Sequence, residues 1–278
     1  MFRYTKWTLL REIGVWIFAI LLLSPLYLLV NIALKSRAEM VSTPAYMPPM
    51  HPSLDSFVAV LDSKSTVSLP LGFFNSFMIT AVAVIGLIVF GSATAYILNR
   101  RFSKVSKLAY YMILTGIVVP AQLGLVPLYI GANTIGLTGS PFGMGLVYVA
   151  MLMPLSVFLY GGFVRALSPE YEDAAAIDGA SAFKTYVRIV FPMLSPATGT
   201  VATMAGIIVW NDFFTPLIFL GGSTNPTLPL VIYSFVGDYN VEWNNIFAVL
   251  ILAMIPITVL YLIFQKKFIQ GFSGGIKS

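Results

Sequence analysis

The sequence has no cysteine and one histidine, His51. A disulfide framework, a thiolate nucleophile, a Cys-ligated metal and a His cluster are therefore all excluded, and no metal site is expected. Charge is scarce too. Charged residues make up 10% of the 278, against about a quarter in a water-soluble domain. There is no Gly-x-x-x-x-Gly-Lys-Ser/Thr loop to cradle phosphates, so the chain has no means of hydrolysing ATP by itself. Low-complexity tracts and fixed-period repeats are also missing. What the chain has in excess is apolar surface, at 58% of residues. A core built from this length cannot bury so much, and a second apolar phase, the bilayer, must cover the rest. A disordered chain, a nucleic-acid module and an ordinary soluble enzyme are thereby ruled out.

Six apolar runs are long enough to cross about 30 Å of hydrocarbon as helices. They are Ile13–Leu34, Phe73–Leu98, Leu108–Ile130, Met144–Val164, Thr198–Leu220 and Ile246–Phe264. Spanning strands are about half as long and alternate in polarity, so the expected fold is an all-α membrane protein with six transmembrane helices. The first run is too long for a signal peptide and has no small-x-small cleavage site before Lys35, which makes it an anchoring helix. An even helix number puts both termini on one side. Thirteen of the sixteen basic residues fall on that side, in the N-terminal tail, the second-to-third and fourth-to-fifth connections and the C-terminal tail. The excess of positive charge marks the inner face, so both termini are expected to be cytoplasmic. The net charge of +5 thus reflects topology, and no nucleic-acid partner is expected.

Two connections are long. The outer one, residues 35–72, holds five prolines and reads as an ordered, irregular segment. The outer turn from Gly131 to Gly143 is uncharged and glycine-rich, which suits a tight hairpin. The inner connection, residues 165–195, is the most polar stretch. Ser168-Pro169-Glu170 reads as a helix start: a hydroxyl N-cap, a proline at the first helical position and an acid in the positive first turn. Glu172, Asp173, Ala174, Ala175, Ala176 and Asp178 follow, and Gly179 supplies the stop. Ser181 then caps a second short helix with Phe183, Val187 and Val190 on one face, ended by Pro192, and Pro196 opens the fifth span. The result is a compact knob, with alanines that admit a close backbone approach and acids that offer docking charge.

Asp173-Ala174-Ala175, Gly179 six residues after the acid, Ile189 ten later and Pro192 three later resemble the "EAA" loop of importer-type ABC permeases. Asp173 stands where that pattern has glutamate, and Phe191 where it has leucine. Further stretches resemble the carbohydrate-uptake, maltose-type branch: Leu34-Lys35-Ser36 with Glu39, Asn75-Ser76, Trp210-Asn211-Asp212-Phe213, and Gly271 to Lys277. The short N-terminus resembles the smaller of the two unlike permeases of such systems.

The resemblance implies a type I ABC importer permease fold in a prokaryotic cytoplasmic (inner) membrane. It divides the chain into an anchoring helix and extracytoplasmic loop (1–72), a transmembrane type-1 domain (73–265) with the coupling loop at 166–195, and a cytoplasmic tail (266–278). It implies a second, homologous permease, a cytoplasmic ATPase dimer and an extracytoplasmic solute-binding protein as partners, with a sugar as substrate. This chain would hold no cofactor, ATP and Mg being bound by the ATPase. The ATPase-coupling residues would be Glu170, Glu172, Asp173, Ala174, Ala175, Asp178, Gly179, Ala180, Ile189 and Pro192. Gly274, Gly275 and Lys277 of the tail would also touch the ATPase.

Within the spans the residues leave alternatives open. Asp212 is the acid inside an assigned span, about 14 residues or roughly 21 Å from its inner end. An ionisable group there faces a bundle interior or a watery cavity. It either lines a translocation pathway with Asn75 and Asn211 or serves as a helix-to-helix hydrogen-bond partner. Asn75 and Gln122 equally suit helix glue, and His51 suits the surface. Pro120, Pro127 and Pro154 can each kink a span. An ion-coupled secondary transporter would need more relay residues than Asp212, and an intramembrane enzyme would need a catalytic pair. Among importers of this type, glycerol phosphate remains an alternative cargo.

Overall fold

The computed structural model describes residues 5–62, 68–101, 103–236 and 242–273, and all regular structure among them is helical. In chain order the helices are α1 (Lys6–Ala33), α2 (Arg37–Ser42), α3 (Asp55–Asp62) and α4 (Leu69–Arg100). They continue with α5 (Lys104–Val118), α6 (Ala121–Thr134), α7 (Pro141–Ala166), α8 (Glu170–Ile177) and α9 (Ala182–Met193). The last are α10 (Ser195–Asn211), α11 (Phe214–Phe219), α12 (Leu228–Val236) and α13 (Trp243–Ser273). Among the described residues four helices are long and apolar enough to cross a membrane, within α1, α4, α7 and α13, and the count rises to six if each of two bent pairs, α5 with α6 and α9 with α10, is one span.

Chain contacts define two units. The first takes residues 1–70 and 231–255. None of the apolar window of α1 is buried within the chain, so its cover must come from lipid or another protein. The outer loop is ordered, as its prolines suggest, and side chains supply the donors its irregular carbonyls need. Asn31 Nδ2 donates to the carbonyls of Ala45 (2.6 Å) and Met47 (2.9 Å). Lys35, only 1% exposed, donates to Pro44 O (2.7 Å) and Thr43 Oγ1 (2.9 Å). Glu39 Oε1 accepts from the amides of Met50 and His51 at 2.9 and 3.2 Å. Lys35 and Glu39, which carry part of the family resemblance, therefore each knit this loop and do not pair with each other.

The second unit takes residues 71–230 and 256–278. Its core is α4 packed on α5, α7 and α10, around Leu87, Tyr110, Val157, Tyr160, Val164, Leu194 and Val201. A π-turn at Leu87–Gly91 adds a residue to one turn of α4. Such a bulge disturbs the regular hydrogen-bond ladder, and Ser156 Oγ of α7 donates to Leu87 O at 3.1 Å. A second apolar cluster joins Ile79, Met144, Tyr148, Val209 and Phe219.

Two of the expected spans are interrupted. The run Leu108–Ile130 breaks between Val118 and Ala121, where Val119 is extended (φ −74°, ψ 123°). Pro120 has no N–H and disfavours helical backbone in the residue before it. Pro127 and Pro154 lie inside continuous helices, so of the three prolines only Pro120 marks a break. The run Thr198–Leu220 breaks at Asp212, which is extended at φ −73°, ψ 128°. The outer turn is shorter than the Gly131–Gly143 stretch expected, since α6 runs to Thr134 and α7 starts at Pro141, and Gly136 and Gly139 within it take positive φ.

Candidate functional site

The inner connection forms α8 and α9, joined at Gly179. Ser168 Oγ accepts from the Glu170 amide at 3.3 Å, but the helix starts one residue later than the sequence suggests, with Pro169 and not Ser168 at the cap position and Glu170 as the first helical residue. The C-terminus of α8 is a Schellman turn. Gly179 N donates to Ala176 O (3.0 Å) and Ala180 N donates to Ala175 O (2.9 Å), with Gly179 at φ +75°. That backbone region is open to glycine and costly for L-residues with a Cβ. An added Cβ would meet no atom within 4 Å, so the requirement for glycine is conformational and the surface around it is open.

The acids of α8 separate into two groups. Glu172 points inward. Its Oε1 accepts from Arg100 Nε at 2.6 Å and its Oε2 from Tyr96 OH at 3.0 Å, while Arg100 NH2 donates to Leu167 O at 2.9 Å. The Arg100 and Glu172 side chains are 16% and 18% exposed, so this clamp fastens α8 to the end of α4. Ala175 is buried beside it. Glu170, Asp173, Ala174, Asp178 and Gly179 are exposed, Ala180 and Ile189 are half-buried, and Pro192 is exposed. Gly274, Gly275 and Lys277 lie outside the described residues.

The exposed face also holds apolar side chains, Ile177 at 88% and Phe183 at 77% exposure. Val187 is exposed while Val190 is buried, so Phe183, Val187 and Val190 do not share a face as their spacing suggested. Residues 186–190 form a π-turn, whose extra residue turns Val190 away from the others. Tyr186 OH and Ser92 Oγ lie 2.6 Å apart, which ties α9 to α4. The Arg100–Tyr96 half of the clamp has no local signal, because it lies 72 residues from Glu172.

The second feature is a groove at the break between α10 and α11, a cavity of about 370 Å³ lined by Gln122, Tyr148, Met151, Asn211, Asp212 and Thr215. Asp212 Oδ2 accepts from Tyr148 OH at 2.9 Å and from the Thr215 hydroxyl, and Oδ1 accepts from the Thr215 amide at 3.3 Å. The carboxylate thus both caps a broken helix and joins two helices, with part of its surface open to the groove. Asn211 Nδ2 bonds to Ile207 O at 2.8 Å within its own helix. Asn75 lies elsewhere, buried, donating to Pro226 O at 3.0 Å. The groove therefore gathers Asn211, Asp212 and Gln122 but not Asn75. Tyr148, the partner of Asp212 on α7, sits unmarked in an apolar run. Among the described residues no three His, Asp or Glu side chains group as a metal site would require.

The chain is similar in sequence and in fold to known transport proteins. The melibiose/raffinose/stachyose import permease protein MelC of Bacillus subtilis (strain 168) is 33% identical over 252 residues, covering 90% of each chain. The multiple sugar-binding transport system permease protein MsmG of Streptococcus mutans is 36% identical over 207 residues, covering 73% of this chain and 74% of the relative. A chain from the crystal structure of a bacterial ABC transporter involved in import of the acidic polysaccharide alginate has the same fold. Its TM-score is 0.85 at 19% identity, over 96% of this chain and 100% of that one. Residues 60–274 match the family model described as "Binding-protein-dependent transport system inner membrane component", and the chain belongs to that family.

Proposed function

We propose that this chain is the permease subunit of an ATP-driven importer that carries a sugar or oligosaccharide into the cytoplasm by alternating access. It works with a second permease, a cytoplasmic ATPase pair that binds ATP and Mg, and an extracytoplasmic binding protein that delivers the sugar. The chain itself is not an enzyme. Membership of a binding-protein-dependent family carries the reading, and the named sugars of MelC and MsmG supply the substrate class.

In this reading the six crossings are α1, α4, the α5–α6 pair, α7, the α10–α11 pair and α13, with both termini in the cytoplasm. The open face around Gly179, with Asp173, Asp178 and Ile177, docks in a groove of the ATPase. Closure of the ATPase pair displaces α8 and α9. The Glu172–Arg100 clamp passes that movement to α4, and the chain link passes it to α7 and α10, a rigid-body gating step. The groove at Asp212 lines part of the cavity that then opens to alternate sides.

The test is reconstitution of the four-component complex with uptake of a labelled raffinose-type oligosaccharide. Uptake should require ATP and the binding protein. Uptake driven by an ion gradient without ATP, or saturation by glycerol phosphate in place of sugar, would overturn the assignment.

A further inference from the structure

Beside the coupling region lies a concave pocket that the proposed transport cycle does not use. Its volume is about 470 Å³, and its walls are the end of α4, the start of α5 and the end of α7. Four cations line it: Arg101, Lys104, Lys107 and Arg165. None is in an ion pair among the described residues, where the pairs are Arg37–Glu242 and Arg100–Glu172, and no acid lines the pocket.

Arg165 is held in place by neutral groups. One terminal nitrogen donates to Asn99 Oδ1 at 2.9 Å and to Tyr110 OH at 2.8 Å, and the guanidinium lies 5.4 Å from the Tyr110 ring centroid. Gly161, one turn earlier on α7, makes room for this. A Cβ there would come within 2.9 Å of Tyr110 OH and 3.2 Å of Asn99 Nδ2. A positioned guanidinium with free donors and no carboxylate is suited to a planar or tetrahedral oxyanion.

Lys104 and Lys107 sit in the first turn of α5, which has no acid. Cations there oppose the helix dipole and cost helix stability unless an anion offsets them. An inward excess of positive charge explains the number of these residues, but not their placement around a hollow or the fixing of Arg165. Exposed Leu108, Tyr111 and Met112 lie on α5 immediately beyond the lysines. The cationic hollow is thus continuous with a surface suited to hydrocarbon.

We infer that this pocket binds the phosphate of an anionic phospholipid, the acyl chains lying along Leu108, Tyr111 and Met112. The ligand chemistry is a phosphate monoester or diester with attached apolar chains, of the kind that basic hollows between membrane helices take. The inference needs only that this end of α7 meets a bilayer surface, and it stands or falls independently of the importer reading.

The experiment is native mass spectrometry of the full-length chain in neutral detergent, titrated with phosphatidylglycerol or phosphatidylcholine of identical chains. Phosphatidylglycerol should be retained preferentially and saturably. Each cation near an anionic lipid contributes about fivefold in affinity, so Lys104→Gln/Lys107→Gln should bind roughly 25-fold more weakly. Arg165→Lys, which keeps the charge and loses the fork, should weaken binding by less than the roughly fivefold of a lost charge. Arg11→Gln/Arg188→Gln removes two exposed cations elsewhere and should change binding less than about twofold. Equal loss in that control, or no preference between the two lipids, would overturn the proposal. Soluble glycerol phosphate should not displace the lipid, and displacement at similar concentration would assign the pocket to a free phosphate compound instead.

Discussion

Glu172→Ala isolates the clamp that joins α8 to α4. The substitution leaves Arg100 Nε and Tyr96 OH without their shared acceptor, in a place where both charged side chains are more than four-fifths buried. Breaking a buried pair costs about 3–5 kcal/mol. Arg100 keeps its 2.9 Å bond to Leu167 O, and the residual exposure admits water, which lowers the expected cost to about 2–3 kcal/mol. This cost falls on local opening of α8 and not on the α4–α7 core. The open fraction of α8 should therefore rise by roughly 30- to 150-fold. Hydrogen exchange of the Ala174, Asp178 and Ala180 amides reads this directly, with the α7 amides around Val157 as an internal standard. Glu172→Gln keeps one acceptor for Arg100 and should accelerate exchange about fivefold. If Glu172→Ala left α8 exchange within about twofold of the parent, the clamp would not be holding the knob and its place in force transmission would be lost.

Gly179→Ala places a Cβ at φ +75° with no steric neighbour, so thermal stability should drop by only about 1 kcal/mol; Gly179→Asp should insert normally yet abolish most uptake and ATPase co-purification, whereas exposed Ala182→Ser should be silent. Tyr148→Phe removes one donor from Asp212 and leaves both Thr215 bonds, so denaturation in detergent should report a loss of about 1 kcal/mol. A larger loss would mean that Asp212 depends on α7 for its position. Cysteine at exposed Ser42 should label from outside intact cells, and cysteine at exposed Ser181 only after permeabilisation; external labelling at Ser181 would invert the topology. Pro120→Ala restores the missing donor between α5 and α6, and helix content measured by circular dichroism should rise, while an unchanged content would show the break to be set by packing.

The Asp173–Gly179 spacing was legible because a Schellman turn is a local object. Its hydrogen bonds run between residues three and five apart, and its glycine is demanded by a single backbone angle. The ordered outer loop was legible for a related reason, since its prolines restrict the backbone before any partner is known. The Pro120 break sat within reach of the same local rule, but the apolar run on both sides of it masked the interruption.

The roles within the acid cluster needed the tertiary structure. Glu172 and Asp173 are adjacent and chemically alike, yet one faces Arg100 and Tyr96 while the other faces outward. The helix rotates them apart by about 100°, and only the position of α4 decides which one is buried. The same holds for Asn75 and Asp212, two polar residues in apolar surroundings. One bonds to Pro226 from within a packed core, and the other closes a helix break against Tyr148. Composition and run length determined that this chain lives in a bilayer, because apolar surface must be covered wherever the chain folds. Which polar groups pair, and which stay open to a ligand or partner, was decided only when distant helices met, because a hydrogen bond depends on ångström distances that sequence separation does not encode.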